Sequence, residues 1–143
     1  MHKYESMARI LALDYGEKRS GIAVTDELQL IASGLTTVQT GDLIPFLKTY
    51  MEKEPLELIV IGEPRRYSGA HPDIEILIRK FIDRLREEIP GIPVERADER
   101  FSSKIAVQSM VRGGVKKKDR RNKALIDKVS ATVILQSYLS MRR

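Results

Sequence analysis

The chain has 143 residues, is 42% hydrophobic and 31% charged, and carries a formal net charge of +5. That length supports one hydrophobic core of ordinary size, and no run approaches the ~18 consecutive apolar residues of a membrane span. The absence of cysteine excludes disulfides, thiolate metal sites and cysteine nucleophiles, and the expectation is a cytoplasmic protein with no membrane partner.

Residues 1–7 (M-H-K-Y-E-S-M) have no apolar h-region, so they read as a flexible polar lead and not as a signal peptide; Met7 is an alternative start. Residues 8–143 read as a single domain. Arg9 to Asp14 and Gly21 to Thr25 form two strands around a polar, glycine-containing turn, and Ala32 to Gln39 completes an antiparallel meander. Leu43 to Glu54 is a helix by its apolar positions Leu43, Phe46, Leu47, Tyr50 and Met51, with Pro55 closing it. Leu58 to Ile61 is continuously apolar and ends at Gly62, the pattern of a strand covered on both faces. A second helix spans about 73–88, a further strand about 94–97, a short helix 102–111, and a final helix about 122–141. The order β-β-β-α-β-α-β-α-α predicts an α/β fold: a mixed five-stranded sheet with strand 1 central and helices on both faces.

Three acidic positions stand out. Asp14 closes a strand whose remaining residues are apolar, and alternation puts it on one face with Ile10 and Ala12. It either bonds to the backbone of the following turn or holds something, since an isolated buried carboxylate is costly. Asp98-Glu99 ends a later strand in the same way, with Ser102 as a candidate cap for the next helix. Asp127 lies beyond the first turn of a helix capped by Asn122, on a stripe with Ala124, Ala131, Ile134 and Tyr138. An internal salt bridge and a functional carboxylate are both open for it. No spacing rule joins positions 14, 99 and 127.

The excess positive charge is local. Residues 112–123 (R-G-G-V-K-K-K-D-R-R-N-K) hold seven basic residues and one acid, whereas the remainder holds 18 basic and 19 acidic residues. Charge runs are usually solvated, but this one precedes the Asp127 helix, which suits contact with a phosphate backbone through Lys116, Lys117, Lys118, Arg120 and Arg121. His2 and His71 suggest no catalytic triad, and Gly16 and Gly21 form neither a dinucleotide fingerprint nor a P-loop.

Four segments, L-A-L-D-Y-G-E-K-R-S-G-I-A-V-T-D, I-V-I-G-E-P, E-R-A-D-E-R-F-S-S and R-N-K-A-L-I-D-K-V-S-A-T-V-I-L-Q-S-Y-L, resemble in order the motifs of the YqgF family. That family is described as Holliday-junction-resolvase-like or pre-16S rRNA nucleases, within the RNase H-like superfamily. The resemblance implies an RNase H-like fold in which Asp14, Glu99 and Asp127 converge as catalytic metal ligands, with Asp98 as a neighbour. It also implies Mg²⁺ or Mn²⁺, two ions, and phosphodiester hydrolysis. Lys18, Arg19 and Arg100 are implied to contact nucleic acid, with Lys18 and Arg19 in the first turn. This chain departs from the family pattern at Glu63, followed by Pro64-Arg65-Arg66, and at Ser130-Ala131, where a pair of alanines is usual. Glu63 reads as a further ligand or as a salt-bridge partner.

The expected function is a metal-dependent endonuclease trimming the 5′ end of the pre-16S rRNA in ribosome biogenesis, acting as a monomer or homodimer. Holliday-junction DNA resolution is the alternative at the same site. A non-catalytic nucleic-acid-binding factor is the alternative of another class. An actin-like ATPase is disfavoured because such enzymes use two related domains around ATP.

Overall fold

The computed structural model describes residues 8–64, 72–98 and 122–142. The N-terminal lead, the helix expected at 102–111 and the basic segment up to Arg121 lie outside the described residues. Five strands, β1 (Arg9–Asp14), β2 (Arg19–Thr25), β3 (Ala32–Gln39), β4 (Leu56–Glu63) and β5 (Val94–Asp98), form one sheet in the order β3-β2-β1-β4-β5. β1 is central: it pairs antiparallel with β2 and parallel with β4, and β4 continues parallel to β5. Helices α1 (Leu43–Lys53) and α2 (Pro72–Glu88) supply the crossovers, and α3 (Lys123–Arg142) follows. None of the described helices is long and apolar enough to cross a membrane.

Strand alternation divides the interior into two cores. Leu11, Leu13, Ile22, Val24, Ile59 and Ile61 face α1 and α2, meeting Leu43, Ile44 and Leu47 of the first and Ile78, Phe81, Ile82 and Leu85 of the second. On the other face, Ile10, Ala12, Ala23, Leu58 and Val60 meet Ala131, Ile134, Leu135 and Leu139 of α3. Small residues on the α3 face and branched ones on the α1/α2 face let a single helix lie closer to the sheet than the pair opposite.

Three strand boundaries exceed the expectation. β2 begins at Arg19 because pairing with β3 extends to Arg19↔Gln39, so Arg19 belongs to the strand and not to the turn. β4 runs from Leu56 to Glu63 and β5 reaches Asp98, since Glu63 and Asp98 are themselves register partners. Apolar character alone defines only the fully covered middle of each strand.

Polar contacts tie the layers together. Arg96 of β5 donates to the carbonyls of Ile61 and Gly62 and forms a two-pronged ion pair with Glu75 of α2, at 2.9 and 2.7 Å. The Arg96 hydrogen bonds are the main reason the Glu75 carboxyl sits below the usual carboxylate range, against the opposing effect of burial. The Tyr138 hydroxyl of α3 donates to Glu95 of β5; burial first, and then this carboxylate, push the phenol up to about 12. Asn122 caps α3, its Oδ1 accepting from the amides of Ala124 and Leu125 at 3.0 and 3.2 Å.

Two predictions follow from these contacts. Because the folded-state pKa of Glu75 is depressed, its contribution is complete above the unfolded carboxylate pKa and is lost as pH falls through the folded value. Glu75→Gln should therefore cost about 1–2 kcal/mol in denaturant unfolding at neutral pH, with the difference from wild type shrinking below about pH 4; a difference constant with pH would contradict the assignment. At Gly21 an added Cβ would stand 1.9 Å from the carbonyl oxygen of Asp127. Gly21→Ala should lower stability by about 1–3 kcal/mol through overpacking and should broaden or shift the amide NMR signals of α3; an unperturbed α3 would refute the close contact.

Candidate active site

The C-terminal end of β1 carries Asp14 out of the core on the face shared with Ile10 and Ala12, the face that α3 covers. Its neighbour across the ladder is Gly21. Asp127, in the second turn of α3, has its backbone carbonyl at the place a Gly21 side chain would fill. Register partners in a narrow antiparallel pair lie about 4.5–5.5 Å apart at Cα, so Asp14 and Asp127 are neighbours at one end of the sheet. Gly21 is what permits this. Periodicity gives Gly21 no role, although a glycine inside a strand pattern commonly marks a close backbone approach. Gly34 repeats the device on β3, where a Cβ would stand 2.8 Å from Lys128 Cγ. Nearby, Thr37 donates to the Ala124 carbonyl at 2.5 Å and holds the first turn of α3 against the same strand.

Arg19 has the strand parity of Gly21 and reaches the same side. Its Nε lies 2.7 Å from Asp127 Oδ2. Both atoms are buried, and neither has a well-aligned hydrogen bond, so the contact is one of charge held at short range. Two opposing effects act on the Asp127 carboxyl. Burial is the larger and raises its pKa, while the Arg19 guanidinium and, more weakly, Lys123 lower it.

The turn between β1 and β2 is fixed from the other side. Thr40, just beyond β3, donates its hydroxyl to the Gly16 carbonyl at 2.6 Å and its amide to the Lys18 carbonyl at 2.9 Å. The Ser20 hydroxyl lies 2.8 Å from the Thr40 hydroxyl and accepts from the Gly16 amide. Gly16 is required here, since a Cβ would stand 2.2 Å from the Arg19 carbonyl oxygen. The result is a rigid turn with Lys18 exposed at its tip, next to Asp14.

Other candidates fall elsewhere. Glu63 has the parity of Ile61, on the α2 face, and its register partner is the Asp98 position; both strand positions are therefore on the opposite parity from Asp14. Ser130 is fully buried, one turn beyond Asp127, and its hydroxyl has no partner among the described residues. Glu99, Arg100, Lys116, Lys117, Lys118, Arg120 and Arg121 lie outside the described residues.

The donor chemistry fits a hard divalent cation. Asp14 and Asp127 offer oxygen ligands, the type that Mg²⁺ and Mn²⁺ select, and at Asp127 a positive group already stands against the buried carboxylate oxygen. Among the described residues no cluster of three or more metal-binding side chains is complete.

Comparison with known proteins bears on the whole chain. Residues 8–141 match the family model described as RuvX, Holliday junction resolvase. A protein of Christiangramia forsetii is 57% identical over 93% of this chain and 98% of its own length, and one of Phocaeicola vulgatus is 55% identical over 96% and 99%; each is named "Putative pre-16S rRNA nuclease". Among solved structures, RuvC of T. thermophilus in complex with a Holliday junction substrate superposes with a TM-score of 0.56 at 18% identity, covering 94% of this chain and 95% of its own. The Fowlpox virus resolvase, bound to Holliday junction DNA, does so at 0.53 and 12%, covering 94% and 98%. At such identities the likeness speaks for the fold, which is RNase H-like. With the ordered motifs, the mixed sheet and the family match in agreement, the chain belongs to the RuvX family, the YqgF-type Holliday-junction-resolvase-like proteins.

Proposed function

We propose that this chain is a cytoplasmic, metal-dependent endonuclease that processes the 5′ end of the pre-16S rRNA. The observation that supports the reading is the seating of the Asp127 backbone against Gly21, the register partner of Asp14: two acidic positions from distant segments lie at one sheet end. Their opposed environments, a strand end and a buried helical turn, suit a site whose ligands are held before substrate arrives. The nuclease names of relatives above 50% identity over nearly the whole length support the substrate class. Holliday-junction cleavage is the second reading, favoured by the description of the matching family.

In this reading Asp14, Asp127 and Glu99 hold Mg²⁺ or Mn²⁺. Such ions, when bound, would supply the Lewis acidity that activates a water and stabilises the leaving oxygen of a phosphodiester. The protein's own part is to present deprotonated carboxylates, to exclude water along the α3 face and to fix the scissile strand. Lys18, exposed on a rigid turn beside Asp14, contacts a substrate phosphate as a point charge. Arg19 neutralises Asp127 while the site lacks a metal and competes with a cation for the same oxygen. Arg100 and the basic segment, with Lys116, Lys117, Lys118, Arg120 and Arg121, supply further phosphate contacts.

The test is cleavage of an rRNA precursor and of a four-way DNA junction with Mn²⁺. Asp14→Asn, Glu99→Gln and Asp127→Asn should each lower the rate by about 100-fold or more while leaving nucleic-acid binding in place; a wild type that cuts neither substrate, or variants as active as wild type, would end the proposal. Retained binding without any cleavage by wild type would instead indicate a non-catalytic binding factor. Arg19→Ala should tighten Mn²⁺ binding, read by titration calorimetry, by about 5-fold, a modest factor because the pair is partly solvent-screened. Weaker metal binding would mean that Arg19 supports Asp127 and does not compete. Neutralising Lys116, Lys117 and Lys118 together should flatten the salt dependence of single-strand binding by up to about 2 in log–log slope, and an unchanged slope would remove this segment from the interface.

A further inference from the structure

The turn that follows Asp14 carries a second feature on the opposite face of the sheet. Tyr15 alternates to the α2 side, where its ring packs against Phe81 at 5.2 Å between centroids, tilted by 45°. These rings, with Ile44 and Leu77, line a cavity of about 180 Å³. Lys80 and Arg84 of α2, both exposed, complete its lining, and Gly41 contributes from the 3₁₀ turn before α1. Drug-sized ligands occupy about 300–1,000 Å³, so this cavity suits something the size of one base.

We propose that it receives a single unpaired nucleotide of the nucleic-acid strand, the base against the Tyr15–Phe81 floor and the flanking phosphates on Lys80 and Arg84. The chemistry matches on both counts: aromatic and aliphatic walls accept a base face irrespective of sequence, and cations beside them take the backbone. Lys80 makes no ion pair among the described residues. Among the described residues Arg84 is paired only with Glu88, at 3.3 Å on the exposed side of the helix, a contact weak enough to be exchanged for a phosphate. Arg84 also acts on the Tyr15 phenol, opposing the upward push of burial, while Glu17 adds to that push; the guanidinium thus stands beside the aromatic floor. The acidic groups that act on the lining residues are Glu17 from the turn, on the Tyr15 phenol, and Glu88 from α2, on Arg84.

The location gives the pocket its meaning. Tyr15 is bonded to Asp14, so the two sites sit one residue apart on opposite faces of the same sheet end, with Lys18 exposed between them. A strand whose phosphodiester lies at Asp14 and Asp127 bends over this end and leaves its next nucleotides at Tyr15. The inference rests on the nucleic-acid reading of the chain and adds a rule to it: the substrate must be single-stranded on one side of the cut.

Gly41 allows a test independent of charge, since a Cβ there meets nothing within 4 Å. Binding of a fluorescein-labelled single-stranded RNA, measured by anisotropy in EDTA, should weaken about 10-fold in Lys80→Ala/Arg84→Ala and by a similar factor of about 10 in Gly41→Phe. The salt slope should fall only in the first. Both variants should keep the wild-type melting temperature. Unchanged affinity in both pocket variants would overturn this inference and leave the nuclease reading standing. So would a loss confined to the charge variant, which would mean a diffuse electrostatic surface. A third contrary result is AMP shifting the Tyr15 and Phe81 ring signals while the RNA leaves them unmoved, which would make the pocket an effector site. Wild type that binds no RNA would overturn this inference together with the rRNA reading, and leave only the DNA-junction reading of the nuclease.

Discussion

Everything at the candidate site depends on one close approach, the backbone of α3 at Asp127 lying against a strand position that has no side chain. The carbonyl of Asp127 stands where the Cβ of any residue but glycine would be. This removes the usual layer of side chains between helix and sheet at that point, as Gly34 does on β3 against Lys128. Farther along, Ala12, Ala23 and Ala131 keep the gap small while larger residues fill it toward Leu139. The helix is therefore nearest the sheet where β1 and β2 present Asp14 and Arg19, and its first turns are held there by Asn122 and Thr37.

The same end of the sheet is braced from the other face. Thr40 and Ser20 tie the β1–β2 turn to the end of β3 through their hydroxyls, and Tyr15 anchors it to α2. Farther out, Arg96 joins β5 to β4 and to Glu75 of α2. The turn that carries Lys18 and Arg19 is thus tied down from both faces. Under the proposed function such bracing would serve a site whose work is largely positioning and electrostatics.

Electrostatics at the centre follow from this packing. Burial alone would keep Asp127 protonated more readily than a surface aspartate, and Arg19 at 2.7 Å offsets that cost. Arg19 thus offsets the charge of the buried carboxylate without satisfying its hydrogen-bonding geometry. The ion pair thereby links two residues that appeared separate in the sequence, one read as a phosphate contact and the other as a metal ligand.

Much of this fold was legible without coordinates. The apolar runs of β1, β2 and β4 and the 3.6-residue stripes of α1 and α2 rest on burial, which local sequence records directly; with the turns between them they predicted the mixed sheet and the central place of β1. The ordered motifs also identified the family and nominated Asp14 and Asp127. Other features required the folded chain, because they arise between segments far apart in sequence. No periodicity could say that Gly21 admits the backbone of residue 127, that Arg19 turns inward to Asp127, or that Glu63 and Asp98 share a register on the α2 parity. The physical reason is that sequence pattern reports which face a residue occupies, whereas distances across that face are set by how closely the layers can approach.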